Sequence, residues 1–113
     1  MKLWIDDVRP APKGYVWCHS VEKAQMVIDT FERDLFDAYY IENVPFEKLE
    51  KIEVIDMDHD AGNYRQCGGD YIKLLDWLEE TGRNYPIRIH SMNPVGVENM
   101  RRIIQRNGWK EIK

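Results

Sequence analysis

Cysteine is scarce: Cys18 and Cys67 are the only two in 113 residues and lie far apart, which excludes a disulfide framework as the source of the fold. A core of apolar side chains must do that work, and 43% hydrophobic with 32% charged residues is the composition of a globular domain rather than a disordered or membrane chain. No apolar run approaches the roughly 20 residues of a membrane span. Positive charge is not in excess, since 16 Lys and Arg stand against 20 Asp and Glu. Tight non-specific gripping of nucleic acid needs clustered cations and is therefore not expected. The order Gly-x-x-x-x-Gly-Lys-Ser/Thr is missing, which removes support for hydrolysis of nucleoside triphosphates. Repeats, low-complexity tracts and linkers are also missing, and the length fits one domain over 1–113. The first residues enter a strand pattern without the order of a secretory signal, so a cytoplasmic location is the expectation.

What the chain does have is one motif written three times: an apolar run that ends in polar, chemically active residues. Ile52 to Met57 leads into Asp58-His59-Asp60, Leu3-Trp4-Ile5 leads into Asp6-Asp7, and Ile87-Arg88-Ile89 leads into His90-Ser91. Buried strands of this type occupy parallel α/β sheets, whose ligands bind outside the carboxyl ends of the strands. Neighbouring strands lie about 4.8 Å apart, so adjacent tips can reach one ligand.

The segments between these runs support that architecture. Two prolines and a glycine in Arg9 to Gly14 exclude a helix there. A short strand over Tyr15 to His19 then brings Ser20 to an N-cap, and Val21, Ala24, Val27, Ile28 and Phe31 predict a helix from Val21 to about Glu32. Asp34 to Lys51 reads as an insertion packed by its aromatics, with a short helix near Pro45. The glycines of Ala61 to Gly69 mark a loop, and Asp70 is placed to cap a helix carrying Tyr71, Leu74, Leu75 and Leu78, with Gly82 as its stop. Asn93-Pro94 opens a last helix that ends at Asn107-Gly108, and Trp109 to Ile112 adds an edge strand. Strands alternating with helices predict a single α/β domain with a mostly parallel central sheet of four to five strands, joined by right-handed crossovers.

Trp4-Ile5-Asp6-Asp7-Val8-Arg9-Pro10, Met57-Asp58-His59-Asp60-Ala61-Gly62 and Ile89-His90-Ser91-Met92-Asn93-Pro94-Val95-Gly96 are together similar to the hallmark stretches of the cyclic-phosphate-processing receiver-like domains, in the same order and across nearly the whole chain. The resemblance implies a receiver-like, flavodoxin-like three-layer sandwich. It also implies a phosphoesterase role on cyclic phosphates of nucleotides, RNA ends or related metabolites, of the kind met in RNA repair. The chain departs from the family pattern at Asp34 to Lys51, which has no clear counterpart, and at Ala61, which replaces a larger apolar residue. A more distant likeness to signalling receivers is incomplete, because neither Lys110 nor Lys113 stands convincingly where those domains carry an essential lysine.

Each motif admits a functional and a plain reading. Asp6, Asp7 and Asp58 offer the carboxylate oxygens that a hard cation such as Mg²⁺ takes; the plain reading is turn and cap aspartates. His59 and His90 are the acid and base expected for opening a cyclic phosphodiester, because imidazole titrates near neutral pH. Asp58 either orients a histidine or joins the metal ligands, so the catalytic set is His59, His90 and Asp58. Ser91, Asn93 and the amides around Gly96 form a phosphate seat at a helix N-terminus, where Gly96 admits the ligand to the backbone, while Asn93 can cap the helix at the same time. Arg9 adds a bidentate phosphate contact or closes its loop on Asp7. Trp17 and Tyr64 can stack on a base, although packing is the ordinary role of such residues. His19 has no partner in sequence, and Arg101, Arg102 and Arg106 read as a solvated basic helix face. The expected ligand is a small phosphorylated nucleotide or RNA end. The alternative is a receiver-like module that binds phosphate, or accepts a phosphoryl group on Asp58, without turnover.

Overall fold

Four short apolar runs become strands and three amphipathic segments become helices in the computed structural model, which describes all 113 residues. The strands are β1 (Lys2–Ile5), β2 (Tyr15–Cys18), β3 (Val54–Met57) and β4 (Ile87–Ile89); the helices are α1 (Val21–Tyr40), α2 (Ile72–Glu80) and α3 (Pro94–Asn107). All strands are parallel, in the order β2-β1-β3-β4. This is the flavodoxin-like order, with its switch point between β1 and β3, where chain direction across the sheet reverses and ligands bind in such folds. The expected edge strand at Trp109 to Ile112 shrinks to one parallel bridge between Glu111 and Ile87.

Register explains the layers. Leu3 pairs with Ile55 and Ile55 with Ile87, so these side chains share one face, as do Ile5, Cys18, Met57 and Ile89. Onto that face pack Val21, Ala24 and Ile28 of α1, Leu74, Leu75 and Leu78 of α2, and Met100, Ile103 and Ile104 of α3, all within one core. Each fully buried Leu or Ile contributes about 1.5–3 kcal/mol, and these contacts hold the domain together. The opposite face carries Trp4, Asp56 and Arg88 in one row, because Trp4 pairs with Asp56 and Asp56 with Arg88. No helix covers it. The receiver-like α/β class is as expected, but the layers are two rather than three, since the β1–β2 connection is an irregular segment in which Pro10 and Pro12 forbid the crossover helix of a doubly wound fold.

α1 begins where expected, with the Ser20 side chain accepting from the Lys23 N–H, but runs on past Glu32 to Tyr40. Leu35 and Ala38 extend the stripe of Ala24, Ile28 and Phe31, and no glycine or proline stops the helix. The rest of the 34–51 segment is a single tight turn at Phe46–Lys48. It lies at the amino edge of the sheet, where the Lys51 carbonyl accepts from the Met1 amino group and the Glu53 N–H bonds the Met1 carbonyl. The 34–51 segment is therefore remote from the strand tips, and Phe36, Tyr40, Ile41 and Phe46 are exposed there. No helix is long and apolar enough to cross a membrane.

Candidate functional site

Asp6, Asp58 and His90 each follow the last residue of their strand, and period-2 alternation turns all three toward the face without helices. Asp6 is fully buried. Its Oδ1 accepts the N–H groups of Val8 (2.9 Å) and Arg9 (2.8 Å), the aspartate turn that starts the β1–β2 loop, and its Oδ2 lies 2.8 Å from His90 Nε2. Burial pushes the Asp6 carboxyl up, but those N–H groups and His90 outweigh it, and the group titrates below the ordinary range.

His90 is held on every side. Its Nδ1 lies 2.6 Å from Asp56 Oδ1, Arg88 Nη1 donates to Asp56 Oδ2 at 3.0 Å, and the ring stacks on Trp4 at 3.9 Å with the planes 4° apart. Both ring nitrogens are thus taken up by carboxylate oxygens of the protein. This revises the expectation of a two-histidine acid and base pair: His90 bridges two buried aspartates and leaves no nitrogen facing a ligand.

Asp6, Asp7 and Asp58 bring one ligand oxygen each within 4.8 Å of one another. No Lys or Arg pairs with Asp7 or Asp58. The Asp7 carboxyl is raised by burial, partly offset by its own backbone N–H, and raised further by the charges of Asp6 and Asp58. Gly62, at φ 54°, makes room for it, since a Cβ there would stand 2.3 Å from Asp7 Oδ2. Uncompensated carboxylate oxygens of this kind fit a small hard dication such as Mg²⁺. Asp7 and Asp58 have more coordinating capacity left than Asp6, whose oxygens already accept three donors.

His59 stands on the β4 side of the cluster. Its Nδ1 is 2.8 Å from Asp60 Oδ1, its side chain is 15% exposed, and its backbone N–H donates to Asp58 Oδ1 at 2.7 Å. Asp60, not Asp58, therefore orients the imidazole, and Nε2 is left without a protein partner. The ring lies against Gly96, where a Cβ would meet His59 Cγ at 2.5 Å. Gly96 thus admits a side chain of this protein rather than a ligand.

Fewer free donors stand at the start of α3 than expected for a phosphate seat. Asn93 Oδ1 takes the Gly96 N–H at 3.0 Å, the Asn93 carbonyl takes the Val97 N–H at 2.9 Å, and Ser91 Oγ takes the Asn93 N–H at 3.1 Å. The Ser91 hydroxyl proton and the Val95 N–H remain as donors. Arg9 does not pair with Asp7; its Nη1 donates to the His90 carbonyl at 3.0 Å, and the rest of the guanidinium is exposed beside the tips. Asp70 does not cap α2 but ties down the 61–69 loop, accepting from the Ala61 N–H and Arg65 Nε on one oxygen. The arginines of α3 are each paired, Arg101 with Glu111, Arg102 with Glu98 and Arg106 with Glu79, and form no free basic surface.

Asp56 and Arg88 were not singled out from sequence because they sit inside apolar runs. A signal was present: Ile55 and Met57 alternate with Asp56 and Asp58, and Ile87 and Ile89 with Arg88 and His90. Such alternation belongs to a sheet with one polar face.

The geometry agrees with the comparison to known families: the Cyclic-phosphate processing Receiver domain matches residues 1–106 of 113. No curated protein and no solved structure matches the chain. With a parallel sheet in receiver order, an acidic cluster at its switch point and a family match over nearly its whole length, this chain belongs to the cyclic-phosphate-processing receiver domain family.

Proposed function

We propose that the domain is a phosphoesterase that opens cyclic phosphates of nucleotides, RNA ends or related small metabolites. The observation that carries this reading is the His59–Asp60 pair beside the carboxylate cluster: an imidazole with Nδ1 held at 2.8 Å and Nε2 free. A carboxylate on Nδ1 fixes the tautomer with the lone pair on Nε2, the arrangement of a general base. His59 accepts a proton from water as its oxygen bonds to phosphorus. One ring P–O bond breaks, and the same proton returns to the departing oxygen. The net change is addition of one water, giving a phosphomonoester. Ser91 and Arg9 hold the non-bridging oxygens. Asp7 and Asp58, with Asp6 behind them, would hold Mg²⁺, which supplies charge neutralisation for the phosphate and the departing oxygen. An activity of this kind belongs to RNA repair when the substrate is an RNA end.

Phosphorus NMR of an RNA oligonucleotide bearing a 2′,3′-cyclic phosphate tests this directly. Conversion to a monoester with Mg²⁺, lost on chelation and reduced at least about a hundredfold by His59→Ala, is the expected result; full activity in His59→Ala would remove the assignment.

A phosphoacceptor module is the second reading, favoured by the place of Asp58 at the tip of β3 beside Asp6 and Asp7. It lacks its lysine: the Lys110 carbonyl bonds Ile87, the first residue of β4 and the end away from the tips, and Lys113 Nζ pairs with Glu111. Stable labelling of Asp58 by a small phosphodonor, without turnover of any cyclic phosphate, would establish it instead.

A further inference from the structure

Beyond the carboxylates, the β2 side of the site carries aromatic rings that the proposed chemistry does not use. Trp17 is fixed by its indole N–H, which donates to the Asp6 carbonyl at 2.8 Å. His19 stacks on it with centroids 4.4 Å apart and planes 27° apart, and Tyr64 continues the series at 5.1 Å and 34° from His19. The His19 backbone is pinned from below, where the buried Tyr71 hydroxyl donates to its carbonyl at 2.6 Å. Tyr64 is carried by the tight turn Gly62–Tyr64, whose first residue lies against Asp7. The rings therefore border the carboxylate cluster from two independent elements, the end of β2 and the loop after β3.

These rings do not fill the interior. None of the three belongs to the hydrophobic core or to the residues packed against it, and Tyr64 is 38% exposed. Two of them are tied to the site, Trp17 by its bond to the Asp6 carbonyl and Tyr64 by the turn whose Gly62 lies against the Asp7 side chain. An aromatic series that ends in an exposed ring one side chain away from a phosphate site has the form of a stacking platform, which accepts any base because every base has a π-face.

We propose that Tyr64, backed by His19 and Trp17, is the nucleobase subsite of this domain, so that its substrate class is a nucleoside or RNA-terminal cyclic phosphate and not a base-free cyclic phosphate. This rests on the phosphoesterase reading for the place of the phosphate, but not on turnover. Tyr64 sets affinity and not the chemical step: removing the ring weakens binding of base-bearing ligands only, while phenylalanine, which keeps the π-face, preserves it.

The test is calorimetric titration with Mg²⁺ in the His59→Ala background, where substrate is not consumed, using adenosine 2′,3′-cyclic phosphate and its base-free methyl riboside counterpart. The expected result is at least about tenfold tighter binding of the adenosine ligand, with the difference erased by Tyr64→Ala and kept by Tyr64→Phe. Equal affinity for the two ligands, no detectable binding of the adenosine ligand, or an unchanged preference in Tyr64→Ala overturns the subsite. The exposed position of Tyr64 makes Tyr64→Ala a surface change, and an unaltered thermal midpoint would verify that it folds. The two readings fail separately. Base-dependent binding with no turnover by the unsubstituted protein would sink the phosphoesterase and leave the subsite standing, whereas equal turnover of both cyclic phosphates with equal KM would do the reverse.

Discussion

Gly96→Ala is expected to change sign with its background. Gly96 sits in the first turn of α3 with ordinary helical geometry, and glycine in a helix is less favourable than alanine by about 0.8–1.0 kcal/mol, so the substitution by itself should stabilise. The added Cβ, however, would stand 2.5 Å from His59 Cγ, 2.6 Å from Cδ2 and 2.9 Å from Nδ1. These atoms are the root of a ring held by Asp60 and cannot swing aside as a flexible tail would. Overpacking of this kind costs about 1–3 kcal/mol. The net result in the unsubstituted protein is a loss of up to about 2 kcal/mol, with turnover falling about a hundredfold or more as the imidazole is displaced. In the His59→Ala protein the obstacle is gone, and Gly96→Ala should stabilise by up to about 1 kcal/mol. The coupling between the two positions is then about 1–3 kcal/mol, which urea unfolding of the four proteins in the cycle measures well. Equal effects of Gly96→Ala in both backgrounds would refute the claim that Gly96 exists to seat His59.

Three further outcomes follow from the same geometry. His90→Ala removes the ring between buried Asp6 and Asp56; taking one partner from a buried, hydrogen-bonded carboxylate costs about 3–5 kcal/mol by urea unfolding, here toward the lower end because Arg88 still holds Asp56 and the Val8 and Arg9 N–H groups still hold Asp6, whereas His59→Ala, at a partly open site, should cost clearly less, although both lose activity. Asp7→Asn removes a carboxylate whose folded-state titration is raised by burial and by Asp6 and Asp58. A raised carboxylate is penalised once ionised, so Asp7→Asn should increase the thermal midpoint at pH 7 in chelator and abolish any rise produced by Mg²⁺, and a lower midpoint in chelator would contradict this. Glu32 is pushed up by burial but held lower overall by Arg83 and by the Tyr85 hydroxyl. Its contribution is complete above the ordinary glutamate range and is lost as pH falls through the depressed folded value; the stability gap between the unsubstituted protein and Glu32→Gln should therefore close in acid, with both proteins followed by thermal unfolding from pH 7 to pH 3.

Much of this site could be read before any coordinates. Apolar runs of strand length ending in Asp6-Asp7, Asp58-His59-Asp60 and His90-Ser91 determined that these residues share one sheet edge, because parallel strands end on the same side and each tip is one residue past its run. Ser20 and Asn93 announced their helices through local hydrogen bonds that need no tertiary partner. Pro10 and Pro12 already ruled out a helix between β1 and β2, which is why one face of the sheet is covered by a loop and not by a helix.

The division of labour between the two histidines was not local information. His59 and His90 are equivalent in sequence, each at a tip and each next to an acidic or polar residue. Only the strand order β1-β3-β4 puts Asp56 beneath His90 and Asp6 beside it, so that one imidazole is spent on two buried carboxylates while the other keeps a free nitrogen. Gly96 likewise looked like a backbone opening for a ligand, and packing against a residue 37 positions earlier made it a seat for His59. The reach of α1 to Tyr40 was legible in part, since Leu35 and Ala38 continue the spacing of Ile28 and Phe31 and are half-buried, but no breaker before Pro45 marks where the helix ends. Short-range chemistry, written in neighbouring residues, was legible in the chain; which side chains are engaged and which keep an open coordination site depends on partners brought together by sheet order, and only the tertiary structure decided it.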